Sequence, residues 1–146
     1  MQPKAAQEGA QKSIDYLLSL QKQGGDFEGE MVWCTMILAQ SIIVRGIVGR
    51  PYSDSEKNEI LRHFKVNQAA DGSWGMHPES PGYVFFTTLG YVALRMMGVD
   101  ANDPTLVKAR QWIHQQPEGV EGIPTWGKFW LAILGLYDYS GLNAIP

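Results

Sequence analysis

The sequence predicts an all-α fold, a partial α/α toroid of about three helix pairs, and two observations support it. A short motif recurs at a nearly fixed spacing along the 146 residues. Segments with helical spacing of apolar residues also alternate between amphipathic ones and ones that are apolar on nearly all sides. Strict alternation of this kind indicates two concentric layers, with the apolar helices inside. We expect three such pairs to form an arc rather than a closed ring.

The recurring motif has the form Q-x-x-x-G-x-aromatic. Its two copies are Gln21, Gly25 and Phe27, and then Gln68, Gly72 and Trp74. The two glutamines are 47 positions apart. A third unit lacks the motif, but its helix resembles the helix that precedes the first copy, at an offset of 96 residues. A glutamine at a helix end can satisfy unpaired backbone groups, glycine permits a turn, and an indole packs over the junction. The motif therefore predicts a structural turn between an outer and an inner helix.

Local signals place the helices. We expect amphipathic outer helices over about 7–21, from Ser53, and from Pro104, and apolar inner helices over 31–48, over 83–97 and from about Thr125. Ser53 stands three residues before a glutamate, which is the spacing of a capping box. Asp103 before Pro104 predicts an N-cap followed by proline at the first helical position. Gly98 predicts the end of the fourth helix.

Composition excludes several classes of function. The net charge is −3 and no basic run occurs, so no nucleic-acid partner is expected. One cysteine, Cys34, excludes an internal disulfide, and we predict no metal site. The N-terminus lacks the apolar core of a secretory signal, and the uncharged run 31–44 is shorter than the about 20 residues of a spanning helix. We expect a cytoplasmic or peripherally membrane-associated protein that is not secreted.

Longer strings carry a resemblance to a known family. Three strings resemble successive segments of the N-terminal region of class II triterpene cyclases: residues 71–77, 91–98 and 123–131. The repeated motif resembles the QW repeats of the same family. The string at 123–131 is more similar to oxidosqualene cyclases, the lanosterol synthase type, than to squalene–hopene cyclases. The resemblance runs from about residue 10 to the end, with Phe27 as a departure from tryptophan. The resemblance implies that residues 1–146 form a single N-terminal region. It also implies that the helix over 7–21 associates with a C-terminal domain.

The resemblance implies a reaction and its partners. Enzymes of this family cyclise a linear triterpene, oxidosqualene or squalene, to a sterol- or hopene-type product, and no cofactor is implied. The expected partners are this hydrophobic substrate and either a C-terminal cyclase portion or a second copy of the chain. A stand-alone, non-catalytic module that binds lipid or another protein is the alternative.

The family starts its reaction with a strong Brønsted acid, which requires a low-polarity pocket and polarising neighbours. The resemblance places this acid in an Asp-x-Asp-Asp or Asp-Cys-Thr motif, and neither motif occurs in the 146 residues. Asp100 and Asp103 form the nearest acidic cluster, and their position before Pro104 favours helix capping. We therefore predict no catalytic residue in this chain and no cyclase activity of the chain alone.

Three aromatic residues are the functional candidates: Trp126, Phe129 and Trp130. A cyclising polyene carries positive charge, which aromatic faces stabilise. By resemblance, these residues line the substrate cavity or its entry channel, and one of the two tryptophans faces it. Core packing of the inner helix is the competing interpretation. Trp33 is a weaker candidate for the same wall.

Overall fold

The structure is a computed structural model that describes residues 3–28 and 34–143. These residues form helices and turns and contain no β-strand, so the all-α prediction is confirmed. The chain divides into two compact units, Met1–Val32 and Trp33–Pro146, which are described separately. The predicted start of the second helix at residue 31 and the candidate Trp33 lie outside the described residues.

Residues 3–28, the described part of the first unit, form one helix and one turn. Helix α1 spans Pro3–Leu20, and its apolar residues Ile14, Leu17 and Leu18 lie at helical spacing and are exposed. The first copy of the motif follows the helix directly. A backbone bridge joins Gln21 to Phe27, which closes the turn.

In the second unit, residues 34–143 form five α-helices: α2 (Thr35–Ile47), α3 (Asp54–Val66), α4 (Val84–Met96), α5 (Pro104–Gln115) and α6 (Thr125–Ile133). Two short 3₁₀ helices, Gly119–Gly122 and Tyr139–Gly141, flank α6. Helix α4 lies at the centre of this unit. It packs most extensively against α2, the other long apolar helix, and also against the amphipathic α5. Nine of its 13 residues are buried, as the sequence predicts for an inner helix.

The helix ends match the local signals closely. Ser53 caps α3, with its side chain accepting from the Glu56 amide and the Glu56 carboxylate accepting from the Ser53 amide. Asp103 caps α5 by accepting from the Thr105 amide at 2.9 Å. Gly98 follows α4 with a φ of +88°, a conformation that glycine adopts readily. The capping predictions are therefore confirmed, and Asp103 serves as a cap.

The apolar residues over 31–48 and 83–97 predict burial on more than one side, which is confirmed for α4 and wrong for α2. Helix α2 keeps Ile37, Val44 and Ile47 exposed, and α6 keeps Trp126 and Ile133 exposed. Each helix is apolar around most of its circumference, but the described residues cover only one side. Burial on more than one side requires neighbours on more than one side, and only α4 has them here.

Candidate functional site

The site is built from the second copy of the motif and from α6, which both meet α4. Trp74, the last residue of the motif, is only 1% exposed and lies between α3 and α4. Its indole N–H donates to the Phe64 carbonyl at 2.9 Å, and the two rings pack edge to face with centroids 5.5 Å apart. A Cβ at Gly90 of α4 would lie 3.1 Å from the indole, so glycine makes room for the ring.

Gln68 ties the turn to the next outer helix. Its side-chain amide donates to the Gly72 carbonyl within the turn and to the Thr105 carbonyl at the start of α5, each at 2.9 Å. Gly72 has a φ of +96°, which glycine adopts without strain. A Cβ there would also lie 2.7 Å from the backbone of Lys108 in α5. The glutamine and the glycine therefore join α3, the turn and α5.

Asp71 is a member of this junction that the motif does not predict. Its carboxylate accepts from the Ser73 amide at 3.0 Å, from the Ser73 hydroxyl at 2.6 Å and from the indole N–H of Trp112, on α5, at 3.0 Å. The Ser73 hydroxyl contributes most to lowering the pKa of Asp71. An aspartate side chain in a turn commonly accepts from the backbone amide two residues later. The bond between Asp71 and Ser73 was therefore predictable from the sequence. Trp112 was not, because it lies 41 residues away.

The first copy of the motif has the same local bond and a different environment. The Gln21 side chain donates to the Gly25 carbonyl at 2.8 Å, and Gly25 has a φ of +85°. Phe27, however, is 54% exposed, in contrast to the buried Trp74. The turn is thus local to the motif, whereas the packing of its aromatic residue depends on the neighbouring helices.

Helix α6 has one packed side and one open side. Gly127, Leu131 and Ala132 are buried, and a Cβ at Gly127 would lie 2.7 Å from the ring of Phe85 in α4. The candidate residues Trp126, Phe129 and Trp130 recur at helical spacing on the rest of the helix surface. Helix α6 therefore meets α4 at Gly127 and keeps its aromatic side chains partly uncovered.

The two tryptophans of α6 differ in exposure. Trp126 is 57% exposed, whereas Trp130 is half-buried and packs against the core. Their rings pack edge to face with centroids 6.2 Å apart. The indole nitrogen of Trp130 is buried and has no hydrogen-bond partner among the described residues. Phe129 lies beside them and is half-buried. The structure therefore brings two of the three candidates into direct contact and leaves one ring open.

A polar cluster holds the two ends of α6. The Tyr137 hydroxyl, after the helix, donates to the carboxylate of Glu121, before the helix, at 2.7 Å. Lys128 lies 3.5 Å from the same carboxylate and 5.6 Å from the centre of the tyrosine ring. This hydrogen bond lowers the pKa of Glu121 and raises the pKa of Tyr137. All these groups lie near the surface. We therefore interpret the cluster as fixing the orientation of α6, and not as a buried catalytic group.

The described part of the chain shows neither a metal-binding cluster nor a membrane-spanning helix. Residues 3–28 and 34–143 contain no group of three or more histidine, cysteine, aspartate or glutamate side chains that could hold a metal ion. None of the described helices is both long enough and apolar enough to cross a membrane. His63 and His114 lie exposed on α3 and α5, and Cys34 is buried at the start of α2.

Comparison with known proteins identifies the family. Residues 10–146 match the family model described as the squalene-hopene cyclase N-terminal domain. The chain is 40% identical over 144 residues to cycloartenol synthase of Dictyostelium discoideum and 39% identical over 145 residues to lanosterol synthase of Homo sapiens. Each alignment covers 98% of this chain and 20% of the relative. Alpha-onocerin synthase of Lycopodium clavatum is 37% identical over 142 residues, which are 92% of this chain and 18% of that protein.

The chain thus spans about a fifth of the length of these relatives. The match includes both copies of the motif and the whole of α6, the parts from which the site is built. The chain belongs to the squalene-hopene cyclase N-terminal domain family and is similar to the N-terminal region of class II triterpene cyclases.

Proposed function

We propose that this chain is the N-terminal portion of a cyclase that converts oxidosqualene or squalene to a polycyclic triterpene. In this role it contributes scaffold and a part of the aromatic wall of the substrate cavity or channel. The proposal rests mainly on helix α6, which has one packed side and one open side. Its Gly127 lies against Phe85 while Trp126, Phe129 and Trp130 stay partly uncovered. Membership in the family supplies the substrate class.

The aromatic residues would act on positive charge. A carbocation beside the face of an indole or phenyl ring is attracted by the ring quadrupole, and each contact contributes about 0.5 to 2 kcal/mol, more when water is excluded. Trp126 has the most open ring of the three and is the first candidate for this contact. Trp130 holds its neighbour edge to face and lies between it and the core, which suits a supporting role.

The proton would come from outside the 146 residues. A carboxylic acid that protonates an epoxide or alkene must be kept neutral by an apolar environment. The pKa values of Asp71 and Glu121, the two carboxyl groups of this junction and of α6, are instead lowered. We therefore propose that the isolated chain does not cyclise oxidosqualene. Formation of a polycyclic product by the purified chain would contradict this part of the proposal.

A chimera tests the wall itself. In human lanosterol synthase, the segment that this chain matches is replaced by residues 1–146, and the cyclised product is measured by gas chromatography with mass spectrometry. We expect Trp126→Ala to lower the turnover about tenfold, because losing one desolvated cation–π contact raises the barrier by about 1.4 kcal/mol. Trp126→Phe should keep most of the activity, since a ring face remains.

The matched control is Val66→Ala, which alters an exposed apolar residue on α3, away from α6. It should leave turnover unchanged. Soluble yield and helical content are compared for all variants, so that a folding defect is separated from a defect in catalysis. An active chimera whose turnover is unaffected by joint replacement of Trp126, Phe129 and Trp130 with alanine would refute the aromatic wall.

A stand-alone module that binds lipid or another protein is the second candidate. The exposed apolar residues of α2, Ile37, Val44 and Ile47, favour it, because contiguous apolar surface commonly marks an interaction site. The sequence that follows Pro146 in the gene separates the two proposals. An Asp-x-Asp-Asp or Asp-Cys-Thr motif in the same reading frame or in an adjacent gene supports the cyclase. Its absence from both places supports the module.

A further inference from the structure

A cavity in the second unit is lined by none of the three aromatic candidates of α6. It has a volume of about 260 Å³ and lies among α4, α5, the 3₁₀ helix at Gly119–Gly122 and the end of α6. Its apolar wall includes Val92, Ile113, Val120 and Leu131. An apolar cavity of about 150 Å³ is enough to hold benzene, so this one can hold an aliphatic segment of several carbons.

One polar group in this wall is unsatisfied. Thr88 of α4 lines the cavity and is buried, and its hydroxyl has no hydrogen-bond partner among the described residues. A threonine hydroxyl in a helix ordinarily bonds to the carbonyl three or four residues earlier. This oxygen has almost no accessible surface, so a ligand in the cavity contacts the Thr88 side chain without bonding to its hydroxyl.

The wall contains one charged side chain, the guanidinium of Arg110. Arg110 and His114 of α5 also line the cavity, and none of its lining residues is acidic. Within the described part of the chain, no carboxylate lies within ion-pair distance of Arg110. A guanidinium binds a carboxylate through paired hydrogen bonds. The cavity therefore combines an anion-binding group with an apolar interior.

The apolar surface continues beyond the cavity. A neighbouring hollow of about 410 Å³ shares Tyr91, Val92 and Leu136 with it and extends along α4 to Met96 and Leu134. The guanidinium of Arg95, at the side of this hollow, already donates to the Val99 carbonyl at 2.6 Å. Arg110 is thus the more available cation, and the hollow offers room for a longer tail.

We infer that this cavity binds a small anionic amphiphile, a carboxylate with a single aliphatic tail. The carboxylate accepts from the Arg110 guanidinium, and the tail lies against Ile113 and Leu131. This site is separate from the proposed aromatic wall and does not depend on cyclase activity. Its failure and the failure of the cyclase proposal are therefore distinguishable.

Titration of the methyl-labelled chain with octanoate tests the inference. The chemical shifts of Val92, Ile113 and Leu131 methyl groups report occupancy, and all ligands are kept below their micellar range. We expect octan-1-ol, which has the same tail and no charge, to bind about tenfold more weakly, because it lacks the charge-assisted hydrogen bond. Decanoate should bind more tightly than octanoate, by up to about fourfold for each added methylene that is buried.

The variants test whether Arg110 alone recognises the carboxylate. Arg110→Gln should weaken octanoate binding about tenfold and leave octan-1-ol binding unchanged. Thr88→Val keeps the shape of the side chain and should leave octanoate binding unchanged, because the buried hydroxyl does not reach the ligand. The matched control is Arg62→Gln on the exposed surface of α3, which should not alter binding.

Three results would overturn the inference. One is equal affinity for octanoate and octan-1-ol, which would mean that no anion is recognised. Another is unchanged octanoate affinity in a folded Arg110→Gln variant. The third is a response of these methyl groups to anionic phospholipid vesicles but not to monomeric octanoate, which would make the cavity a membrane-contact surface.

Discussion

Replacing the buried tryptophan of the second motif tests how the fold is held together. In Trp74→Phe the ring remains, but the indole N–H that donates to the Phe64 carbonyl at 2.9 Å is lost. That carbonyl lies in the last turn of α3, where in-helix partners run out. A buried carbonyl left without a donor costs about 1 to 3 kcal/mol, and the smaller ring leaves a void that costs about 1 kcal/mol more. We expect a destabilisation of about 2 to 4 kcal/mol.

The assay is urea unfolding followed by far-ultraviolet circular dichroism, in which the midpoint shifts while the slope stays the same. Trp126→Phe is the matched control, because it makes the same chemical change at a residue that is 57% exposed and has no such bond. It should change the free energy of unfolding by less than about 0.5 kcal/mol. A Trp74→Phe protein as stable as its control would refute the claim that this indole links α3 to α4.

Four further outcomes are expected. Gln68→Ala should cost about 1 to 2 kcal/mol, because the side chain donates to two carbonyls, whereas Gln21→Ala, at the exposed copy, should cost less than about 0.5 kcal/mol in the same unfolding assay. The pKa of Asp71 is lower in the folded chain, so its stabilising contribution is present above the unfolded value and is lost as the pH falls through the folded value. Asp71→Asn should therefore show a smaller loss of stability than wild type between pH 7 and pH 3. Gly127→Ala should cost about 1 to 3 kcal/mol by pressing a Cβ into a phenyl ring, while Gly9→Ala, with open space around it, should stabilise α1 by up to about 1 kcal/mol. The exposed apolar surfaces predict self-association, and a clean monomer in light scattering at micromolar concentration would contradict it.

Local chemistry explains why the helices could be located from the sequence. The capping box at Ser53, the N-cap at Asp103 and the glycine at Gly98 each act within a few residues. The hydrogen bonds that define these ends involve neighbours in the chain, so the pattern of side chains is sufficient to predict them. The all-α class and the family could be inferred for a related reason, since periodicity and motif spacing are properties of the chain itself.

The site was only partly predictable. The sequence singled out Trp126, Phe129 and Trp130 but could not say which ring stays open, because that depends on how α6 seats against Phe85. Their contact with a substrate remains a prediction. Sequence reasoning did not find the unpaired hydroxyl of Thr88, since a missing partner can be recognised only when every neighbour is in place.

The two copies of the motif separate most clearly what the sequence determines from what the tertiary structure determines. In both, the sequence by itself determined the turn: a glutamine bonds to the glycine carbonyl four residues on, and the glycine takes a positive φ. Only the tertiary structure decided the rest. Trp74 is enclosed by α3 and α4 and bonds to one of them, whereas Phe27 stays exposed. A turn needs only its own residues, but burial needs surfaces that come from distant parts of the chain.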